Sequence, residues 1–67
     1  MNFVTLQELS RRGCIELCVN VFKWMKIQKN YCARNDIYNM MIRLHARHNW
    51  VDQARGLFFE MQKWRYV

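Results

Sequence analysis

NDIYNMMIRLHARHNWVDQARGLFFEMQKWR, residues 35–65, decides the fold. Asn35 and Asp36 open the stretch, and either side chain is of the type that caps a helix N-terminus by accepting a hydrogen bond from an orphan N–H. Tyr38, Met41, Ile42 and His45 then recur at i, i+3, i+4 and i+7, which is one stripe of a helix. Asn39, Arg43 and Arg47 follow each other four apart on another face. His48-Asn49 interrupts the pattern, and Asn tolerates the left-handed backbone that ends many helices. A second stripe begins at once with Trp50, Ala54, Leu57, Phe58, Met61 and Trp64 or Arg65. Asp52 lies in its first turn and Lys63 and Arg65 in its last, both favourable to the helix dipole. The stretch therefore predicts helices over 35–48 and 50–64 joined by a tight turn.

The N-terminal half carries a partial copy of this pattern. Gly13 ends whatever precedes it, and Ile15, Cys18, Val21, Phe22 and Met25 form an apolar stripe, predicting a helix over 14–28. Leu6 and Leu9 suggest a short helix before it, and residues 30–34 form a linker. Displaced by 36 residues, Phe22 falls on Phe58, Met25 on Met61, Cys18 on Ala54, Gly13 on Asn49, Arg11 on Arg47 and Leu6 on Ile42. A helix–turn–helix unit repeated at this period is the mark of an α-solenoid. The expected fold class is all-α, built of antiparallel helical hairpins. Residues 1–34 are read as a degenerate first repeat with its linker, and 35–67 as a second repeat cut short at its end. Solenoid units usually need about three repeats to bury their faces, so the expectation is a piece of a longer array. Neighbouring repeats of a longer chain, or self-association, would cover its open flanks.

Composition narrows the function. Eleven Lys and Arg against five Asp and Glu give a net charge of +6, which suits an anionic partner, nucleic acid before membrane. No apolar run approaches the ~20 residues of a membrane span, so no membrane partner is expected. The first residues lack the features of a secretory or transit peptide. Three cysteines, Cys14, Cys18 and Cys32, are an odd number that argues against a disulfide framework.

Three groups of residues resemble the pentatricopeptide repeat (PPR) family. Tyr38-Asn39-Met40-Met41-Ile42 resembles the Tyr-Asn-x-Leu-Ile opening of its motifs. Asn49-Trp50-Val51-Asp52-Gln53-Ala54 looks like its Gly-x-x-x-x-Ala corner, and Leu57-Phe58-Phe59-Glu60-Met61 matches its Leu-Phe-x-x-Met signature. In the earlier copy Gly13, Cys18, Phe22 and Met25 keep the second-helix half of the pattern. The resemblance covers about residues 6–65, and Phe-x-Trp-Met at 22–25 looks like a plant P-type array. Departures are also visible. Cys32-Ala33-Arg34 stands where the family closes a repeat with Pro-Asp. Asp36 replaces a small β-branched residue that clamps the base. Phe3 occupies the first copy's base-reading position.

The resemblance implies a non-enzymatic binder of single-stranded RNA, one repeat addressing one base. It makes Asn39 the base reader, since an amide offers both donor and acceptor to a base edge. Asp36 and Arg34 are the further base-reading candidates, Arg34 as the second reading position of the first repeat. Arg47 falls where the family places a phosphate-contacting Lys. Arg11 is its counterpart one repeat earlier, and Arg43 extends the stripe. The plainer reading of all six is a solvated, basic helix surface. The resemblance also implies an organellar protein, chloroplast first and mitochondrion second, acting on transcript processing, stability, splicing or translation.

Other chemistries find little support. Trp50 and Trp64 lie on the second helix's apolar stripe, so core or inter-repeat packing is expected of them rather than base stacking, as it is of Tyr38, Met40, Met41 and Phe58. Cys14, Cys18, Cys32, His45 and His48 lack the C-x₂₋₄-C…H-x₃₋₅-H spacing of a zinc site, so no metal and no cofactor are expected. No nucleophile–base framework or Gly-rich phosphate loop is present. The rival class is a tetratricopeptide-like scaffold for protein partners. What lines the first-helix face separates the two: polar and basic side chains favour nucleic acid, aromatics a peptide.

Overall fold

The computed structural model describes residues 3–65, and their side chains from 4 to 64. Four helices follow in order: α1 Phe3–Arg11, α2 Ile15–Lys26, α3 Asn35–Arg47 and α4 Val51–Arg65. No strand occurs among the described residues. The chain divides into two compact units, Met1–Cys32 with α1 packed on α2, and Ala33–Val67 with α3 packed on α4. Each is a helical hairpin.

In the first unit Leu6, Ser10, Ile15, Cys18, Val21 and Phe22 are buried. Cys18 is small enough to let the helices approach, and its thiol donates to the Leu6 carbonyl at 3.9 Å. Burial raises the thiol pKa. Helix α2 is two residues shorter at its end than the expected 14–28. Beyond Lys26 the chain tightens: Ile27 and Gln28 donate to the carbonyls three residues back, Trp24 and Met25, at 3.3 and 3.2 Å. The Gln28 side-chain amide also donates to the Trp24 carbonyl at 2.9 Å, satisfying one of the orphan acceptors at a helix end. The Lys26 ammonium sits 4.7 Å from the centre of the Phe22 ring.

The core of the second unit comes from Ile37, Tyr38, Met41, Leu44 and His45 of α3 and Ala54 and Met61 of α4. The face is wider than the expected stripe. Ile37 and Leu44 join it, and Ile42 is only half-buried. His45 enters the core because its Nδ1 lies 2.6 Å from the Met41 carbonyl and its ring meets Trp50 edge-on at 5.8 Å. The expected cap also differs. Asn35 is already helical, and the N-cap residue is Arg34, with no side-chain capping bond. Asp36 instead accepts the N–H of Ile37 at 2.9 Å from within the first turn.

The two turns are built alike. At Gly13 the backbone reaches φ 76° and at Asn49 61°, the left-handed region open to glycine and tolerated by asparagine. Gly13 N–H donates to Ser10 O and Cys14 N–H to Leu9 O, both at 3.0 Å. Their counterparts are Asn49 N–H to Ala46 O at 3.0 Å and Trp50 N–H to His45 O at 2.8 Å. These bonds satisfy carbonyls that the helix ends would leave open.

Candidate nucleic-acid interface

Helix α3 separates its two faces cleanly. At about 100° per residue, Asn39 points nearly opposite the middle of the buried face formed by Ile37, Tyr38, Met41, Leu44 and His45. Arg43 and Arg47 follow it in steps of about 40° around and about 6 Å along the axis. All three are exposed. Core burial on one side therefore fixes an amide and two guanidiniums on the other, and Arg47 in the last turn complements the helix dipole.

Tyr38, one residue before Asn39, anchors this helix. Its ring is 1% exposed. Its hydroxyl donates to Glu60 Oε2 at 2.6 Å and accepts from the Trp64 indole N–H at 3.1 Å. Glu60 and Trp64 belong to α4, so the chain Trp64–Tyr38–Glu60 bolts α4 to α3 and restricts rotation of the face that carries Asn39. Sequence reasoning missed this network. The indole of Trp64 was expected in packing, yet the side chain is half-exposed and serves as a donor. Phe58 and Trp24, like Trp64, keep a large exposed fraction, and Trp50 and Met40 are half-buried, so none of these is a sealed core residue.

Arg34 and Asp36 meet directly. The Arg34 Nε and Nη2 donate to the two Asp36 carboxylate oxygens at 3.1 and 2.6 Å. Arg34, with the Ile37 N–H as a lesser cause, holds the Asp36 carboxyl below its ordinary pKa. Both side chains stay about half exposed.

Arg11 is paired within its own helix. Its guanidinium donates to Glu8 at 2.6 and 3.1 Å, and Arg12 donates to the same carboxylate at 3.0 Å. These hydrogen bonds, Arg11 first, lower the Glu8 pKa to about 2. The position matching Glu8 in the second unit is Leu44, which is buried, and the one matching Arg12 is His48, whose Nδ1 lies 2.9 Å from the Leu44 carbonyl. The spacing of Glu8 before Arg11 and Arg12, at i+3 and i+4, is a readable ion-pair signal. The side chain of Phe3, the first copy's base-reading position, lies outside the described residues, as does that of Arg65.

Residues 36–66 match the sequence profile of the PPR repeat. The chain belongs to the pentatricopeptide repeat family. It is 95% identical over 61 residues to a pentatricopeptide repeat-containing protein of Arabidopsis thaliana, an alignment covering 91% of this chain and 7% of that protein. It is 37% identical over 60 residues to a protein of the family from Zea mays, named as chloroplastic, covering 90% of this chain and 12% of that one. A chloroplastic homologue from Oryza sativa subsp. japonica matches at the same identity and coverage. The chain thus spans about a tenth of the length of the curated relatives it matches. No solved structure matches it. The family is a non-enzymatic helical repeat family whose members are generally organellar RNA-binding proteins. Among the described residues no helix is long and apolar enough to cross a membrane, and no three His, Cys, Asp or Glu side chains are placed to hold a metal ion.

Proposed function

We propose that this chain binds single-stranded RNA along the outward face of α3, as part of an organellar protein acting on transcript processing, stability, splicing or translation. The observation that carries the reading is the placement of Asn39, Arg43 and Arg47 together on the exposed face opposite the core. That face is polar and basic, the lining that favours a nucleic acid over the peptide groove of a scaffold. Arg43 and Arg47 contact phosphates and supply affinity without sequence information, while the Asn39 amide meets a base edge. Glu8 offsets part of the charge that Arg11 and Arg12 would otherwise offer to phosphates. A chloroplast location is the reading supported by the two chloroplastic relatives.

Titration of labelled single-stranded RNA at two salt concentrations tests the reading. Binding is expected to be weak and to fall steeply with salt. Arg47→Glu is expected to lower affinity similarly for all sequences and to flatten the salt slope by more than one phosphate contact. Equal binding by wild type and Arg47→Glu removes Arg47 from the interface. Absence of binding at low salt transfers the reading to a protein scaffold.

A further inference from the structure

We propose that the outer face of α4 is a self-association surface. A second copy of this chain packs on it antiparallel, with each Phe59 ring seated over the partner's Gly56 and each Asp52 paired with the partner's Lys63. This does not depend on the RNA reading above, since it uses the helix that backs α3 and leaves the outward face of α3 open.

The placement of four residues singles out this face. At about 100° per residue, Asp52, Gly56, Phe59 and Lys63 fall within about 60° of one another, centred opposite the buried Ala54 and Met61. All four are exposed. Phe59 is 58% exposed, and its ring meets Phe58 edge-on at 6.1 Å rather than turning into the hairpin. Gly56 lies in the interior of α4, where glycine is less favourable than alanine because it orders a freer backbone. A Cβ added there would meet nothing within 4 Å, so packing inside the chain does not require the missing side chain. The face thus presents an uncovered aromatic ring one turn from a gap.

The pattern fits its own reversed copy. Steps of four, three and four residues are those of a helix-pair seam. Turned end for end about the midpoint between Leu57 and Phe58, Asp52 exchanges places with Lys63, and Gly56 with Phe59. Two α4 helices related by a two-fold axis therefore set each large ring against the other chain's gap and each carboxylate against the other chain's ammonium. A parallel pair would instead oppose Phe59 to Phe59, Asp52 to Asp52 and Lys63 to Lys63, and the like charges disfavour it. This charge and size complementarity commits the face to a second copy rather than to an unrelated chain. The matching positions of the first unit, Glu16, Asn20, Lys23 and Ile27, lack it, because the same reversal opposes Lys23 to Asn20 and Glu16 to Ile27. The face is also distinct from the apolar flank of Val51 and Phe58, which lies about 120° around α4 from its centre.

Sedimentation equilibrium over a concentration series at physiological salt, with circular dichroism to check helix content, tests the proposal. Wild type is expected to form a dimer. Gly56→Gln improves helix propensity and fills the gap, so it is expected to keep or raise thermal stability while weakening the dimer about tenfold. Asp52→Lys and Lys63→Asp are each expected to weaken self-association, because each opposes like charges twice in the dimer. Their equimolar mixture is expected to recover a dimer, since both cross-chain pairs are then restored with signs exchanged. Val51→Ser, on the neighbouring apolar flank, is expected to leave the dimer intact. If Val51→Ser dissociates the dimer and Gly56→Gln does not, the open flank is the interface and the proposal is overturned. A mixture that associates no better than its two components overturns the antiparallel pairing. A wild-type chain that stays monomeric throughout the series overturns the proposal outright.

Discussion

Gly13 and Asn49 stand 36 residues apart and close their hairpins with the same pair of backbone bonds, but the two units diverge beyond the turn. The second unit has the Trp64–Tyr38–Glu60 chain across its helices. The first unit places Trp24 and Gln28 at the positions of Glu60 and Trp64, where Gln28 caps the Trp24 carbonyl instead. The apolar flanks differ too. Ile15 and Phe22 are 8% and 3% exposed, whereas their counterparts Val51 and Phe58 are 55% and 43% exposed. The repeat's sequence pattern therefore carries two kinds of information. The turn and the inner stripe are satisfied within each hairpin. The Val51–Phe58 flank is not covered by its own hairpin, and such a flank buries against a further helical layer in a solenoid.

The polar bolt makes the largest expected difference between the units. Tyr38→Phe keeps the buried ring and removes the hydroxyl that serves Glu60 and Trp64. It should destabilise the second unit by about 1.5 kcal/mol, the scale of a hydrogen bond to a charged group. Thermal unfolding followed by tryptophan fluorescence and far-ultraviolet circular dichroism measures the loss. A change within error would show that Glu60 and Trp64 are equally well satisfied by water.

The turns give the next largest effect and oppose each other in sign. Gly13→Ala puts a Cβ at φ 76° and should cost about 1 kcal/mol, at the lower end of the left-handed penalty. Asn49→Gly at φ 61° should stabilise by a few tenths to about 1 kcal/mol. Urea denaturation of both variants against wild type checks the pair. The same sign in both would mean that the two turns are not equivalent.

Much of this was readable from residues alone. Apolar spacing placed α2, α3 and α4 within a few residues, because the core faces are continuous and Gly13 and Asn49 are strong punctuation. Ile37 and Leu44 escaped the stripe because a strict i, i+3, i+4 pattern is narrower than the face a helix buries against a neighbour. Phe58 and Trp64 were expected in packing, since spacing cannot distinguish a residue facing its own hairpin from one on an open flank. The outward set Asn39, Arg43 and Arg47 was visible as a four-residue rhythm. The Arg34–Asp36 pair was not, because it depends on how the linker bends into α3, and the residues were assigned as separate readers.

The smallest difference concerns charge. Glu8 is gripped by Arg11 and Arg12, and the second unit has no acid at the matching position. The folded pKa of about 2 lies below the ordinary 4.5, so the grip is complete above the ordinary value. It is lost as pH falls through about 2. Because Glu8 is exposed, this should appear as a displaced titration rather than a large stability change. Carboxyl chemical shifts followed against pH should place the Glu8 midpoint well below 4.5 at low salt and nearer to it at high salt. A midpoint near 4.5 at both salts would mean the ion pairs do not persist in solution.

In the proposed interface α3 turns its outer face to RNA while α4 backs it. Nuclear magnetic resonance of the isotopically labelled chain, titrated with a single-stranded RNA oligomer at low salt, addresses this residue by residue. Shifts should concentrate at the Asn39 side-chain amide and at Arg43 and Arg47, with the exposed residues Gln53, Arg55 and Phe59 of α4 left nearly unmoved. Shifts centred on α4 with Asn39, Arg43 and Arg47 unaffected would contradict the account.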